Sequence, residues 1–289
     1  MTGAHPPMVV VREAVTRALA EDLTPLGDLT SALLPAGMTA VADFVPREEG
    51  VLAGVLCAGE AIRQVDAEVA VTWRADDGDW VEPGTSMGTV EGRLASILTV
   101  ERTALNFLCH LSGVATLTRR FVDAVAAYGG GARIWDTRKT TPGMRALEKA
   151  AVRAGGGVNH RGNLSDWVML KDNHLAHVGV EEAVKQSRHR WPGRLVHVEC
   201  DGEDQVEAAL AAGADAVLLD NMKPEEVRSC VALVHDIVNR TRQRRPLLEV
   251  SGGITLETVG SYAAAGADLI SAGAITSSAP ALDLALDVR

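Results

Sequence analysis

The sequence predicts an α/β protein in which an N-terminal α/β sandwich domain precedes an open, incomplete parallel β/α barrel. Between Thr39 and Val90, apolar and polar residues alternate around Gly and Asp-Gly turns, which is typical of antiparallel strands. After Gly129 the pattern becomes strand, loop and helix in repeated order, which predicts a parallel sheet covered by helices. Six such units, or seven, fall short of the eight strands of a closed barrel.

The individual elements follow from apolar spacing along the chain. Residues 8–20 carry apolar side chains at helical spacing and predict a first helix. Residues 96–127 predict a long helical stretch in which Gly113 is expected to form a break. The barrel strands are predicted at 132–138, 167–173, 194–200, 216–221, 247–253 and 269–274.

The length of 289 residues allows one large domain or two ordinary ones. The change of pattern favours two. We place residues 1–115 in the sandwich and residues 116–289 in the barrel. A C-terminal helix is expected after about residue 277 and is expected to pack on the sandwich.

Charge and cysteine content limit the classes of function. The net charge of −10 argues against a nucleic-acid partner, because no overall positive field would attract phosphate backbones. The four cysteines are far apart and form no CxxC pair, which predicts free thiols in a reducing compartment. No signal-like segment precedes residue 20, and no charge-free apolar run reaches the ~18 residues that span a bilayer. We therefore expect a cytoplasmic protein with no membrane partner.

Polar side chains follow the predicted barrel strands, at the end where parallel barrels place their active sites. Two of the five lysines, Lys139 and Lys171, lie at strand ends, beside Arg138 and Arg161. A single strand-end lysine is ordinarily a solvated loop cation. Four cations at one face repel one another unless an anion joins them, so this set predicts a pocket for strongly anionic substrates.

Two glycine loops at the last two strands predict a phosphate site. Ser251-Gly252-Gly253 and Ala272-Gly273-Ala274 each precede a predicted helix. Small residues let backbone N–H groups approach a phosphate, and helix N-termini favour its charge.

Two other sets of residues at the strand ends carry charge or metal-binding groups. Glu199 and Asp220, at neighbouring strand ends, could neutralise the two lysines or contact ribose hydroxyls and hydrated Mg²⁺, and both roles are compatible if the lysines change partner when substrate enters. His174 and His177 have helical spacing but no evident third ligand, so zinc is not expected there.

Several long motifs resemble one family. They are "ERTALNFLCHLSGVAT" (101–116), "DTRKTTPGMRALEKAAVRAGGGVNHR" (136–161), "LKDNH" (170–174), "VECD" (198–201), "LLDNM" (218–222) and "LEVSGGI" (248–254). Together they resemble the nicotinate-nucleotide pyrophosphorylase (carboxylating) family, or quinolinate phosphoribosyltransferases. The resemblance runs from about Glu21 to the predicted final helix, nearly the whole chain, and implies a sandwich domain followed by an open α/β barrel.

The resemblance also implies a reaction and a set of site residues. Quinolinate attacks phosphoribosyl pyrophosphate, pyrophosphate leaves, and decarboxylation gives nicotinate mononucleotide for NAD synthesis, with Mg²⁺ as cofactor. By match to the family, the residues that bind the two substrates are Arg102, Thr137, Arg138, Lys139, His160, Arg161, Lys171, Glu199, Asp220, Ser251, Gly252, Gly253, Ala272, Gly273 and Ala274.

Among these residues, the catalytic candidates are Lys139, Lys171, Glu199 and Asp220, and the last two would hold Mg²⁺ directly or through water. Arg102 would enter the neighbouring subunit's site, which implies a homodimer and leaves higher oligomers open.

Three alternatives remain at this stage. A molybdenum-associated paralogue would have the same fold and a different acceptor, although the arginine set Arg102, Arg138 and Arg161 suits a dicarboxylate better. A Schiff-base lyase would use Lys139 or Lys171 as nucleophile. A non-enzymatic binding module would use the sandwich, whose hairpin lacks a carrier lysine.

Overall fold

The computed structural model describes residues 5–129 and 131–289, which divide into two compact units. The first unit contains the described residues up to 119 together with 140–157 and 275–289; the second contains the remaining described residues of 120–139 and 158–274. The grouping of residues 275–289 with the N-terminal unit agrees with the expected packing of the chain end on the sandwich, whereas the grouping of residues 140–157 was not anticipated.

The helices and strands alternate along most of the chain. The helices are α1 (Met8–Leu23), α2 (Val55–Val65), α3 (Leu94–Ala127), α4 (Arg145–Ala154), α5 (Asp172–Val178), α6 (Val180–Arg190), α7 (Glu203–Ala211), α8 (Pro224–Thr241), α9 (Leu256–Ala264) and α10 (Ala274–Ser277). The strands are β1 (Thr39–Pro46), β2 (Gly50–Val51), β3 (Ala70–Trp73), β4 (Trp80–Val81), β5 (Gly88–Arg93), β6 (Arg133–Trp135), β7 (Val168–Leu170), β8 (Val196–Cys200), β9 (Ala216–Asp220), β10 (Leu247–Ser251), β11 (Leu269–Ser271) and β12 (Leu284–Val288).

The first unit is built on an antiparallel sheet with strand order β12-β1-β5-β3, next to the small pair β2-β4. The alternating residues of β1 point Ala42 and Phe44 into the core, and Phe44 stacks on Trp73 with ring centroids 5.0 Å apart. The antiparallel prediction for this region is therefore confirmed. The predicted first helix is also confirmed, because α1 covers it.

The end of the chain is a strand, and the predicted C-terminal helix is wrong. Leu284 to Val288 pair with Pro46 to Ala42 of β1, and Arg289 forms an ion pair with Asp43. The pattern of Ala and Leu is compatible with a helix, but pairing with an open sheet edge decides the conformation.

Gly113 does not break the long helix, because α3 is continuous through it. A Cβ atom at Gly113 would lie 3.0 Å from Cα of Ala281. This glycine therefore allows the backbone before β12 to approach the helix closely.

The second unit is an open parallel barrel of six strands in the order β6-β11-β10-β9-β8-β7. The strands carry fully buried apolar side chains, among them Val198, Val217, Leu248 and Ile270. The edge strands are β6 and β7. Among the described residues they are not paired with each other, but the indoles of Trp135 and Trp167 at these edges lie 5.9 Å apart. The predicted fold class is confirmed.

All four cysteines are free thiols, as predicted. None of the described helices combines the length and apolar character needed to cross a membrane.

Candidate active site

A cavity of about 550 Å³ lies at the carboxyl ends of the barrel strands. Twelve of the predicted residues line it: Thr137, Arg138, Lys139, His160, Arg161, Lys171, Glu199, Asp220, Ser251, Gly252, Gly253 and Gly273. Ala272 and Ala274 flank Gly273 in the chain but are not among the lining residues. Arg102 belongs to the first unit, where its exposed side chain lies 4.0 Å from Glu101.

A buried carboxylate fixes the loop that carries His160 and Arg161. Asp136, fully buried after β6, accepts hydrogen bonds from the backbone N–H of His160 and from the side-chain amide of Asn159, both at 2.7 Å. Val158 also bridges to Trp135 as a short parallel extension of the sheet. These contacts hold the loop of residues 158–161 beside β6, although the loop itself does not form a regular strand.

Arg138 and Arg161 are cations without an ion-pair partner within 4.0 Å among the described residues. The Nε atom of each is buried and makes no hydrogen bond to any described residue. Burial lowers the pKa of Arg161, and the like charge of Arg138 lowers it further. A bound dianion would relieve both effects, because guanidinium groups bind carboxylates with paired hydrogen bonds.

The neighbouring part of the cavity combines cations with carboxylates. Lys171, which precedes α5, forms an ion pair with Glu199 on β8. Asp220, at the end of β9, accepts a hydrogen bond from the Asn221 amide at 2.7 Å. Burial raises the pKa of Asp220, against the opposing charges of Lys171 and Lys139. The expected neutralisation of one strand-end lysine by Glu199 is confirmed.

The glycine loop after β10 requires glycine for steric reasons. Gly252 has φ +98°, and a Cβ atom there would lie 2.8 Å from the backbone nitrogen of Asn221. Gly253 has φ +59° and no heavy atom near its missing Cβ. Gly273, on the adjacent strand end, leaves room for the side chain of Lys139, whose Cδ would lie 3.0 Å from a Cβ.

His174 makes a hydrogen bond that stabilises the start of a helix and does not point to a metal site. Its Nδ1 accepts a hydrogen bond of 3.2 Å from the backbone N–H of Lys171 and so caps the start of α5. His177 lies in the last turn of the same helix.

Sequence reasoning missed a polar cluster that lies inside the barrel next to the cavity. Glu249 on β10 accepts a hydrogen bond from Ser271 and lies close to His160 and His197. Burial lowers the pKa of His197 to about 4. Burial alone would raise the pKa of Glu249, but the hydrogen bond and charge of His160, with the charge of His197, bring it below its usual value. The sequence did carry a signal for this cluster: His197 and Glu249 are polar residues within the otherwise apolar strands β8 and β10.

An open parallel barrel with a charged cavity at its carboxyl face is typical of α/β-barrel enzymes, which place their active sites at that face and often bind a phosphate at the last strands. The family model "Quinolinate phosphoribosyl transferase, C-terminal domain" matches residues 114–287, and the model of the N-terminal domain matches residues 28–112. The chain belongs to the quinolinate phosphoribosyl transferase family.

Known relatives match over nearly the whole chain. A probable nicotinate-nucleotide pyrophosphorylase [carboxylating] of Methanothermobacter thermautotrophicus is 43% identical over 98% of this chain and 99% of its own length. A nicotinate-nucleotide pyrophosphorylase [carboxylating] of Mycobacterium leprae is 43% identical over 96% of both chains. The solved structure of the nicotinate-nucleotide pyrophosphorylase from Francisella tularensis superposes with a TM-score of 0.93 at 36% identity and covers 100% of both chains.

Proposed function

We propose that this protein is a pentosyltransferase of NAD biosynthesis. It transfers the phosphoribosyl group of phosphoribosyl pyrophosphate to quinolinate and releases pyrophosphate, CO₂ and nicotinate mononucleotide. Family membership over the whole chain supports this function. The single structural observation that carries it is a pair of arginines, each with a buried Nε atom and no ion-pair partner among the described residues, in a cavity that also holds two lysines and a glycine loop.

Quinolinate carries two carboxylates on adjacent ring carbons, and Arg138 and Arg161 suit them. Each guanidinium can donate two parallel hydrogen bonds to one carboxylate. His160 and Lys171 line the same part of the cavity and would complete the binding site. The phosphoribosyl donor would place its 5-phosphate on the loops Ser251–Gly253 and Ala272–Ala274, and Thr137 and Lys139 would contact its phosphates.

Glu199 and Asp220 fit the Mg²⁺ that accompanies pyrophosphate. Both offer carboxylate oxygens to one cavity, and Mg²⁺ in substrate complexes uses one or two carboxylates plus substrate oxygens and water. When bound, Mg²⁺ would neutralise part of the charge on the leaving pyrophosphate. Lys171 would then exchange its contact with Glu199 for a substrate anion.

The chemical steps need positioned charge more than acid–base groups. The ring nitrogen of quinolinate forms a bond to the anomeric carbon, and the bond from that carbon to the pyrophosphate oxygen breaks with its electron pair on oxygen. Lys139 and Lys171 would stabilise this growing negative charge. The carbon–carbon bond to the adjacent carboxylate then breaks, CO₂ leaves, and the ring carbon takes up a proton. Holding both reactants in the cavity supplies much of the remaining acceleration.

We also propose a homodimer in which Arg102 of one subunit reaches the cavity of the other. Arg102 has a side chain that is 69% exposed, and its one ion-pair contact to another described residue is the long 4.0 Å contact to Glu101. Exposed arginine without a firm intrachain partner is suited to recognition of a ligand in a neighbouring subunit. Higher oligomers are compatible with this arrangement.

Product analysis tests the function directly. Purified protein should convert quinolinate, phosphoribosyl pyrophosphate and Mg²⁺ into nicotinate mononucleotide, CO₂ and pyrophosphate, measured by chromatography with carboxyl-labelled quinolinate. Nicotinate, which lacks the second carboxylate, is the control acceptor and should react far more slowly. Absence of product with quinolinate, or equal rates with both acceptors, would contradict the proposal.

A further inference from the structure

Three side chains inside the barrel form a buried group of metal-ligating atoms. His160 lies in the loop before β7, His197 on β8 and Glu249 on β10, with exposed fractions of 8%, 4% and 1%. One ligand atom of each lies within 4.8 Å of the other two. Nε2 of His160 is 3.5 Å and Nε2 of His197 is 3.6 Å from Oε2 of Glu249.

The two separations to Glu249 are close to those of a tetrahedral zinc-type site, and the two histidine ligand atoms lie within 4.8 Å of each other. Metal–ligand bonds of about 2.0–2.2 Å at tetrahedral angles separate neighbouring ligand atoms by about 3.3 Å. The two separations to Oε2 of Glu249 are longer by only a few tenths of an ångström. Two imidazoles and one carboxylate favour borderline transition metals, whereas Mg²⁺ prefers oxygen ligands alone.

Two of the ligand atoms also lack a hydrogen bond of ordinary length. Nε2 of His197 and Oε2 of Glu249 are buried, and their contacts within the cluster are long: 3.6 Å between the two atoms and 3.5 Å from Nε2 of His160 to Oε2 of Glu249. Buried polar atoms are ordinarily satisfied, so this pair calls for an additional ligand. The other oxygen of Glu249 accepts the hydroxyl of Ser271, which is the kind of contact that orients a metal-binding carboxylate.

Aromatic packing holds the imidazoles in place. The ring of His160 lies 5.1 Å from Trp135 and 4.9 Å from Trp167, and the two imidazole rings stack at 6.1 Å with 14° between their planes. Rigid ligands lose little freedom when a metal binds. The positive charge of the nearby Arg161 opposes a dication and should lower its affinity for the site.

We propose that His160, His197 and Glu249 bind one zinc-type divalent cation, with a fourth position open to water from the cavity. His160 and Glu249 line the cavity, which provides the entry path. This site shares His160 with the proposed quinolinate site, adds His197 and Glu249, and uses none of the carboxylates that would hold Mg²⁺.

Titration with metal alone tests the proposal. Untagged protein is freed of metal with a chelator and titrated with Co²⁺, with visible absorption as the readout, and Zn²⁺ is measured by equilibrium dialysis. We expect one equivalent per chain, the intense absorption of tetrahedral cobalt, and a higher Tm with Zn²⁺. H197A and E249Q should abolish all three effects.

Two other histidine variants are controls. His5 lies near Asp76 and Asp77 in the first unit, which is the other group of three potential ligands among the described residues, and His235 is exposed. H5A and H235A should retain the cobalt absorption in full. Wild-type protein that binds no Co²⁺ or Zn²⁺ at micromolar concentrations overturns the proposal, whatever the folding of the variants. Binding that survives in H197A and E249Q, or disappears in H5A, also overturns it.

Discussion

The most informative single residues are the two arginines of the cavity, because each presents a buried donor that no described residue accepts from. Such a donor is costly in the empty cavity and becomes favourable when an anion enters. Quinolinate and the phosphoribosyl donor occupy different parts of the proposed site. Substitution of one arginine should therefore lower the affinity for one substrate and leave the affinity for the other unchanged.

R138A should weaken quinolinate binding by about tenfold to a hundredfold, the effect of losing hydrogen bonds between charged groups. Affinity for phosphoribosyl pyrophosphate should change little, because that ligand is expected on the lysines and glycine loops. Isothermal titration calorimetry with each substrate measures both effects. R133A removes an exposed arginine from the start of the same strand and should leave both affinities unchanged. Equal losses for both ligands in R138A would refute the proposed division of the site.

Among the secondary-structure elements, α2 and α3 each contain a glycine in the first unit, and the surroundings of the two glycines are opposite. Gly59 in α2 has open space, since a Cβ would meet its nearest atom, Nε1 of Trp73, at 3.8 Å. Gly113 in α3 lies against the backbone of Pro280 and Ala281. The same substitution therefore has opposite expected effects.

G113A should destabilise the protein by about 1–3 kcal/mol, because the added methyl group displaces packed backbone. G59A should stabilise it by about 0.5–1 kcal/mol, because alanine favours the helical state. Urea unfolding followed by circular dichroism gives both free energies of unfolding. A G113A variant as stable as the wild type would show that the contact with the chain before β12 is not tight.

Helix α2 also contributes stability that depends on pH. Glu60, 4% exposed, accepts hydrogen bonds from Arg63 at 2.8 and 2.6 Å and from Gln64 at 2.9 Å. The hydrogen bond from Arg63 is the main cause that lowers the pKa of Glu60 to about 2.

A carboxyl group with a lowered folded-state pKa stabilises the fold above its ordinary pKa of 4.5, and this contribution is lost as the pH falls towards about 2. E60Q should therefore be less stable than the wild type at pH 7, and the difference should shrink between pH 4.5 and pH 2. Urea unfolding across this range measures it. The exposed Glu91 provides the control E91Q, which should follow the wild-type curve. A difference that stays constant with pH would exclude Glu60 as the titrating group.

For the whole molecule, the proposed exchange of Arg102 between subunits predicts recovery of activity in mixed dimers. R102A and R138A should each retain little activity alone when quinolinate is limiting. If Arg102 acts in the neighbouring subunit, each mixed dimer contains one doubly altered site and one intact site. Random mixing should then restore roughly a quarter of the wild-type activity.

Co-refolding the two variants and measuring nicotinate mononucleotide formation tests the exchange. Each variant refolded alone is the control for spontaneous recovery, and light scattering after size exclusion should give a dimer. If Arg102 acts within its own chain, every site in a mixed dimer carries one defect. Continued inactivity of the mixture would therefore refute the exchange.

Much of the barrel and its rim could be predicted from the sequence, because the parallel strands are short apolar runs followed by polar residues such as Lys171, Asp220 and Ser251. The interior cluster could not be predicted, because His160, His197 and Glu249 are separated along the chain and only the sheet order brings β8 and β10 together. Strand β12 was not predicted for a similar reason. Its partner β1 lies more than 200 residues earlier in the chain, and the local secondary-structure propensity of residues 284–288 does not reveal that pairing.

The two indoles that meet where the barrel is left open give the protein its own optical reporter. Trp135 and Trp167, two of five tryptophans, both touch the imidazole that borders the cavity. Their ultraviolet emission depends on the polarity and charge around the rings, so an entering anion should shift or quench it. Ligand binding in the cavity can therefore be followed by tryptophan fluorescence, in the unlabelled protein and without the enzymatic reaction taking place.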